Sequence, residues 1–468
     1  SAAAGLAGAG YGGAAGYGDE VFNATNARTL LNSLTAFGPR VTGSHANEVL
    51  VPAFLQKHLK ALQRSLPKGV VLEISRQNPA SHFHLDFLGG ITNVYENVTN
   101  IVARLTWPDA HISLNSPNPP LKTQKIESGT GDVGTGESGN VGNVGDVGDV
   151  GVGDWSVLVN AHFDSIPGSP GGADDGVGVA CMLEVLRVLT LGPPLTRPVL
   201  FLFNGAEESN HQAAHGFVTQ HPWAQSVQYV LNLEAIGSGG QELVFQCNSG
   251  WLAKFYGRVA PHQHMAVVAH ELFKHFLYKT ASTDWATLLK YGRRGVRGMD
   301  SAYIENGYVY HTKFDTASIV PLGTYVTTGE NILALTRNLG SSPDIPAPTQ
   351  ADPWDESAVF FDLMGFFTIS YSGSQVPLLH SLVVGLALLL CAYLGRSLPN
   401  HTPARWWETI KMEVYLYLAP TVVGFLYGVV VFMVAPMRWY EGGIPIALAL
   451  HLPPALLTLL HTRGEAAR

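Results

Sequence analysis

The sequence predicts an α/β protein: a mostly parallel mixed sheet sandwiched by helices, followed by C-terminal transmembrane helices. Three observations predict it. Five apolar runs up to residue 247 lack the apolar-polar alternation of half-exposed strands, so they read as strands covered on both faces. Longer helical patterns lie between them. Beyond residue 375 the chain turns into long uncharged apolar stretches.

In chain order the predicted strands are VTNIVARL (98–105), WSVLVNA (155–161), PVLFLF (198–203), VQYVLNL (227–233) and LVFQC (243–247). Between the second and third, GVGVACMLEVLRVLT (176–190) is apolar on most sides and reads as a deeply buried helix. Residues 1–20 form a Gly/Ala tract without a starting Met, so the protein is expected to extend upstream; a region beyond Arg468 is expected too. Residues 128–154 repeat Gly, Val and Asp with no core-forming side chains and read as a flexible insertion within a domain spanning 21–340. A Pro-rich linker and juxtamembrane segment, 341–375, leads into a membrane region, 376–468.

Three spans are predicted there, at 376–394, 414–434 and 444–460. The first is uncharged and long enough, at ~1.5 Å per residue, to cross a bilayer. Arg396, Arg405 and Lys411 follow it and Arg463 and Arg468 close the tail, against Arg438 alone in the second loop. By the positive-inside rule the first loop and the tail are cytosolic, and residues 1–375 face a lumen or the exterior. Sequons at Asn23 and Asn97 are then expected to carry glycans, and the one at Asn400 is expected to stay bare.

Composition excludes several classes. A formal charge of -8 offers no field for a phosphate backbone, so nucleic acid is not an expected partner. Three cysteines (Cys181, Cys247 and Cys391) build neither a disulfide framework nor a cysteine zinc module, although a Cys181–Cys247 bridge and two separate thiols both remain open.

In an open α/β sheet ligands gather beyond the carboxyl ends of the strands, so the polar residues after each apolar run are the informative ones. His162 and Asp164 follow the second run, Glu207 and Glu208 the third, and Glu234 the fourth. Asp174 and Asp175 open the buried helix, and Tyr310, His311 and Asp315 come late in the chain. Carboxylates at the ends of buried strands repel one another unless a cation gathers them, and mixed carboxylate and imidazole donors suit zinc. Adjacent side chains on an extended strand point to opposite faces, so Glu207 and Glu208 can share one site only if the strand has already ended. His211 and His215, four apart, lack an H-E-x-x-H context and read as surface or packing residues. No G-x-S-x-G elbow is present.

In order, HFD, GADDG, EE, NLE and YHTKFD resemble the two-zinc M28 metallopeptidases, and FLFNGAEE, HGFVTQHPWA and FFDLMGFF resemble their membrane-bound endoplasmic reticulum subgroup. The resemblance implies a zinc aminopeptidase-like fold with two zinc ions per chain. Asp174 would bridge them, His162 and Glu234 completing one site and Glu208 and His311 the other. It implies that Glu207 is the general base acting on a metal-bridging water, that Asp164 orients His162, and that Tyr310 donates to the oxyanion. Many soluble members carry Asp where this chain has Glu234. The implied activity is peptide-bond hydrolysis by an aminopeptidase at an endoplasmic reticulum or related endomembrane, with peptide or protein substrates, membrane lipid around the spans and no assigned oligomeric state. Two other readings stand beside it: a single-zinc acyltransferase similar to the glutaminyl cyclases, and a catalytically silent binding protein on the same scaffold.

Overall fold

The computed structural model describes residues 21–85, 90–108, 110, 155–277, 281–343, 345–346 and 358–397, with isolated helical positions between 407 and 433. The insertion 128–154, Asn400, the third span and nearly all of the second lie outside the described residues.

Among the described residues, seven strands form the main sheet in the order β1-β4-β6-β5-β7-β9-β8. They are β1 (Val71–Gln77), β4 (Asn100–Thr106), β5 (Ser156–His162), β6 (Val199–Asn204), β7 (Val227–Ala235), β8 (Leu243–Cys247) and β9 (Arg297–Tyr303). A hairpin of β2 (Ser81–Leu85) and β3 (Ile91–Tyr95) and another of β10 (Val359–Asp362) and β11 (Thr368–Tyr371) stand outside it. All five predicted strands are present, and β1 and β9 join them. The central four, β6-β5-β7-β9, are parallel, whereas β4 runs antiparallel to both of its neighbours and β8 antiparallel to β9. Continuous apolarity therefore marked strands covered on both faces but did not set their direction.

The described helices are α1 (Ala24–Thr35), α2 (Val51–Arg64), α3 (Gly178–Leu191), α4 (Gln212–Gln220), α5 (Gly250–Val259), α6 (Val267–Leu272), α7 (Asp284–Lys290), α8 (Leu322–Ser341) and α9 (Val376–Ser397). Alternation along the strands divides the core. Val157, Val159, Phe201, Phe203 and Leu231 face α1, α3 and α8, while Leu158, Leu200, Leu202 and Val230 face α4 and α7. Helix α3 is buried on nearly every side, as its sequence predicts, and Gly192-Pro193-Pro194 stops it. Its one acid, Glu184, is fully buried and accepts from the Asn23 backbone N–H (3.2 Å) and the Arg187 guanidinium (2.6 Å).

From β5 the chain passes through α3 to β6 on one side, then through α4 to β7 on the other side of β5. This reversal opens a crevice at the carboxyl ends of β5 and β7, where open α/β sheets place their ligands. Cys181 and Cys247 are buried and not joined by a disulfide, which closes the question of a bridge. Among the described residues one helix is long and apolar enough to cross a membrane, Gly373–Tyr393. None of the described side chains along α9 is buried.

Candidate metal centre

Along the face of the sheet covered by α4 and α7, the strands change character toward their carboxyl ends. Leu158 gives way to Asn160 and then His162 on β5; Val230 gives way to Asn232 and then Glu234 on β7. With a side-chain period of two, each triplet points the same way. His162 ends β5, and Glu234 stands one residue before the end of β7.

The other acids arrive from turns. β6 stops at Asn204, and Glu207 and Glu208 lie three and four residues later, where the backbone has left the strand, as their shared position requires. Asp164 shapes that turn. Its Oδ1 accepts from the Glu207 backbone N–H (3.1 Å), and its Oδ2 from the Glu208 N–H (3.0 Å) and Thr42 Oγ1 (3.1 Å). Oδ1 also lies 3.3 Å from His162 Nδ1, so one buried carboxylate steadies both the imidazole and the paired glutamates.

Asp174 sits in a tight π-type turn, Gly172–Val177, ahead of α3, and its peptide bond to Asp175 is cis. Asp315, named in the sequence among metal-capable side chains, holds this turn instead. Its Oδ1 accepts from Ala173 N–H (2.7 Å) and its Oδ2 from Asp174 N–H (3.1 Å). Gly172 is needed for that approach, since a Cβ there would lie 2.5 Å from the Thr316 backbone. Arg40, which sequence reasoning missed, is fully buried and donates to the carbonyl oxygens of Phe163, Pro170 and Gly171, gathering the segment between His162 and Asp174. Burial draws its pKa down to about 10 against the pull of Asp164, Asp315, Asp174 and Asp175.

The result is two three-residue groups sharing Asp174. His162, Asp174 and Glu234 form one; Asp174, Glu208 and His311 form the other, with ligand atoms in each group within 4.8 Å of one another. Asp174 Oδ1 lies 3.1 Å from His162 Nε2 and Oδ2 lies 3.2 Å from His311 Nε2, so its two oxygens face different groups. Glu234 Oε2 is 3.7 Å from His162 Nε2, and Glu208 Oε2 is 3.2 Å from His311 Nε2. Glu207 completes the cluster, its Oε1 3.4 Å from Nε2 of His211. Of the surface and packing roles read for His211 and His215, both residues take the packing one. His211 is buried against Glu207 and Thr287, while His215 stacks on Phe83 at 4.1 Å. Tyr310 lies at the mouth, 36 % exposed, its ring stacked on His311 at 3.7 Å.

The electrostatics demand positive charge. Burial, with repulsion from Glu234, pushes Glu207 well above the ordinary carboxylate range; burial also raises Glu208, and raises Glu234 to about 8. Asp174 goes the other way: burial opposes its charge, but His162 and His311 hold it below its usual value. Both imidazoles rise despite burial, His311 to about 10, because carboxylates surround them. Burial and the same acids keep the Tyr310 phenol protonated.

A cation fits this cluster on its own chemistry. His162 Nε2 and Glu208 Oε1 are buried and make no geometrically sound hydrogen bond. An imidazole lone pair and a spare carboxylate oxygen aimed into a group of acids are zinc-type donors, and Asp164 supports the far nitrogen of His162 as metal-bound histidines require.

Known proteins can now be compared with this site. The chain is 37% identical over 390 residues to endoplasmic reticulum metallopeptidase 1 of Rattus norvegicus, covering 82% of this chain and 38% of that protein. To the Homo sapiens protein of the same name it is 35% identical over 468 residues, covering 97% and 46%. It thus spans less than half the length of these curated relatives. A solved zinc aminopeptidase from Bacillus subtilis aligns with a TM-score of 0.43 and 15% identity over 70% of this chain and 98% of that one. The description "Peptidase family M28" matches residues 147–336, a stretch holding all five candidate ligands and Glu207. That stretch is a peptidase family M28 domain within this chain.

Proposed function

We propose that this chain is the membrane-anchored catalytic part of a zinc-dependent metallopeptidase that hydrolyses peptide bonds as an aminopeptidase. The observation that carries the reading is Asp174, whose two oxygens face two separate histidine-carboxylate groups. His162, Asp174 and Glu234 would hold one zinc ion, and Asp174, Glu208 and His311 a second. When bound, such a pair lowers the pKa of a water to roughly 7 and polarises a carbonyl oxygen.

The chain's own residues do the rest. Glu207, beside the ligands with its side chain 12 % exposed, takes the proton of the attacking water at its side-chain oxygen and returns it to the leaving amine. Asp164 keeps His162 facing inward and keeps the Glu207–Glu208 turn closed. Tyr310, at the mouth with its O–H intact, donates to the oxygen that gains charge. The flank formed by His211 and Thr287 limits where Glu207 can point.

Helix α9 would anchor the domain as the first of several spans in an endomembrane, with residues 21–375 in the lumen. Asn23 and Asn97, both exposed, would carry glycans there. At Asn23 the side-chain oxygen caps α1 by accepting from Thr25 and Asn26, which leaves its amide nitrogen for the sugar.

The test is metal content and hydrolysis of free and N-acetylated peptides, for wild type and Glu207→Gln. Two equivalents of zinc, cleavage confined to free N termini, and a variant that keeps metal without turnover are expected. A single equivalent with cyclised N-terminal glutamine products would show a glutaminyl-cyclase-like acyltransferase. Full metal loading without hydrolysis would show a binding protein.

A further inference from the structure

We infer that the tip of the β10–β11 hairpin, Leu363–Phe367, inserts into the interfacial layer of the bilayer that α9 crosses, an inference resting on the reading of α9 as a span. Four of its five residues are large and apolar, and they point outward: Leu363 is 47 % exposed, Met364 85 %, Phe366 81 % and Phe367 49 %. Exposed apolar side chains scattered singly need no explanation, but a contiguous set on a soluble surface marks an interaction site.

The tip is built as an apolar solvent would require. Leu363 N–H donates to Phe367 O (2.8 Å), Phe366 N–H to Leu363 O (3.0 Å) and Gly365 N–H to Asp362 Oδ2 (2.7 Å), so the loop satisfies backbone groups internally. The charge of Asp362 is turned back into the domain, where its Oδ1 accepts from Met265 N–H (2.8 Å) and lies 3.0 Å from His264 Nδ1. From Leu363 to Leu394 there is no Asp, Glu, Lys or Arg. A long uncharged run that is half hairpin and half helix suits a chain entering lipid through its interface, where Phe and Leu are at home.

Continuity with α9 chooses lipid as the occupant. Strand β11 reaches α9 through the single 3-10 turn Gly373–Gln375, closed by a Ser372/Gln375 capping box. Tyr371 on β11 pairs with Nε2 of His380 on α9 at 2.9 Å. Four strand residues and one such turn span about 20 Å, so the tip stays within that distance of the start of α9. At its other side the hairpin is fixed to the domain by Asp362 N–H to Met265 O (3.0 Å) and by a bridge between Ala266 and Phe361. The hairpin therefore couples the peptidase domain to the membrane surface independently of the span.

The test uses the full chain in phosphatidylcholine vesicles with Cys391→Ser as background, since Cys181 and Cys247 are buried. An environment-sensitive nitrobenzoxadiazole label is placed by Phe366→Cys at the tip, Leu386→Cys within α9, or Val94→Cys on the distant β2–β3 hairpin, where Val94 is 71 % exposed. At residue 366 we expect a blue shift and loss of fluorescence to lipids brominated near the headgroup, with residue 94 responding only to aqueous iodide. Iodide quenching at 366 equal to that at 94 overturns the inference, and so does shielding from both quenchers, which would mean that protein covers the tip. Lipid quenching at 386 without quenching at 366 refutes the hairpin inference while leaving the span intact. No quenching at 386 by lipids brominated near the ends of their acyl chains refutes the span itself and the inference with it.

Discussion

Two groups of buried acids lie one above the other on the same face of the sheet, and they are neutralised differently. The upper group is the rim: Asp174, Glu207, Glu208 and Glu234, facing two histidines. Two residues down the strands lies a polar row to which four adjacent strands each contribute one side chain, Asn160 on β5, Asn232 on β7, Asp300 on β9 and Gln246 on β8, and Asn204 on β6, level with His162, reaches down to it. Asp300 receives Asn232 Nδ2 (2.9 Å), Gln246 Nε2 (2.9 Å) and Thr283 Oγ1 (2.6 Å). Asp284, the first residue of α7, receives Asn160 Nδ2 (3.0 Å) and Asn204 Nδ2. The row thus offers its acids amide and hydroxyl donors, whereas the rim offers almost none beyond its imidazoles. Burial of a carboxylate needs donors, a proton or a cation, and the two layers divide these solutions between structure and chemistry.

If that division holds, the layers respond to opposite perturbations. The largest effect is expected from Asp174→Ala, which removes the residue common to both groups. Turnover should vanish and zinc binding fall at both sites, with chelator-induced lowering of the unfolding temperature, present in wild type, abolished. Metal bound at 100 times its dissociation constant stabilises by about 2.7 kcal/mol, so the loss is measurable by calorimetry. Retention of two equivalents by the variant would refute the shared-ligand geometry. Next comes Asp300→Ala, which strands three buried donors. It should cost ~3 kcal/mol in urea unfolding while the protein still loads zinc. Loss of metal at full occupancy of the fold would show that the row and the rim are one unit.

His162, Glu207, Glu208 and Glu234 stood out in the sequence because they follow apolar runs, where an acid is conspicuous, whereas Asp174 and His311 follow none and were tied to them only by the family resemblance. The row did not stand out. Strand β9, RGMDSAY, has no apolar run, and its polar residues are buried only because partners arrive from β7, β8 and the turn before α7. Arg40 left no signal either, since its partners are carbonyl oxygens, which every residue has. Strand direction escaped for a related reason: β4 is covered on both faces although it runs antiparallel to its neighbours, so its composition is that of a parallel strand. For His211 the packing reading holds, but the residue it packs against was not visible. Its distance of four from His215 suggests one helix face, but His211 precedes α4 with a φ of 60° and turns toward Glu207.

That contact supplies a smaller prediction. His211→Phe keeps a buried ring and removes the nitrogen that faces Glu207. We expect kcat to fall about tenfold, the scale of lost support around a catalytic site, with KM and zinc content unchanged. A change confined to KM would place His211 in substrate binding instead.

The smallest effect should appear in the pH dependence of stability, and it belongs to the row. Burial raises Asp300 from 3.8 to about 7, even though Thr283, Asn232 and Gln246 favour its charged form. Between these values the folded protein holds a proton that the unfolded chain has released. The contribution of Asp300 to stability is therefore full below about pH 4, declines as pH rises, and is lost once pH passes about 7. Asp300→Asn resembles the protonated acid in shape and cannot titrate. Its urea midpoint should fall less steeply than that of wild type between about pH 4 and about pH 7, whatever its stability at any one pH. Equal slopes would mean that Asp300 is already ionised in the folded protein, so that its three donors alone carry a buried charge and the row needs no proton.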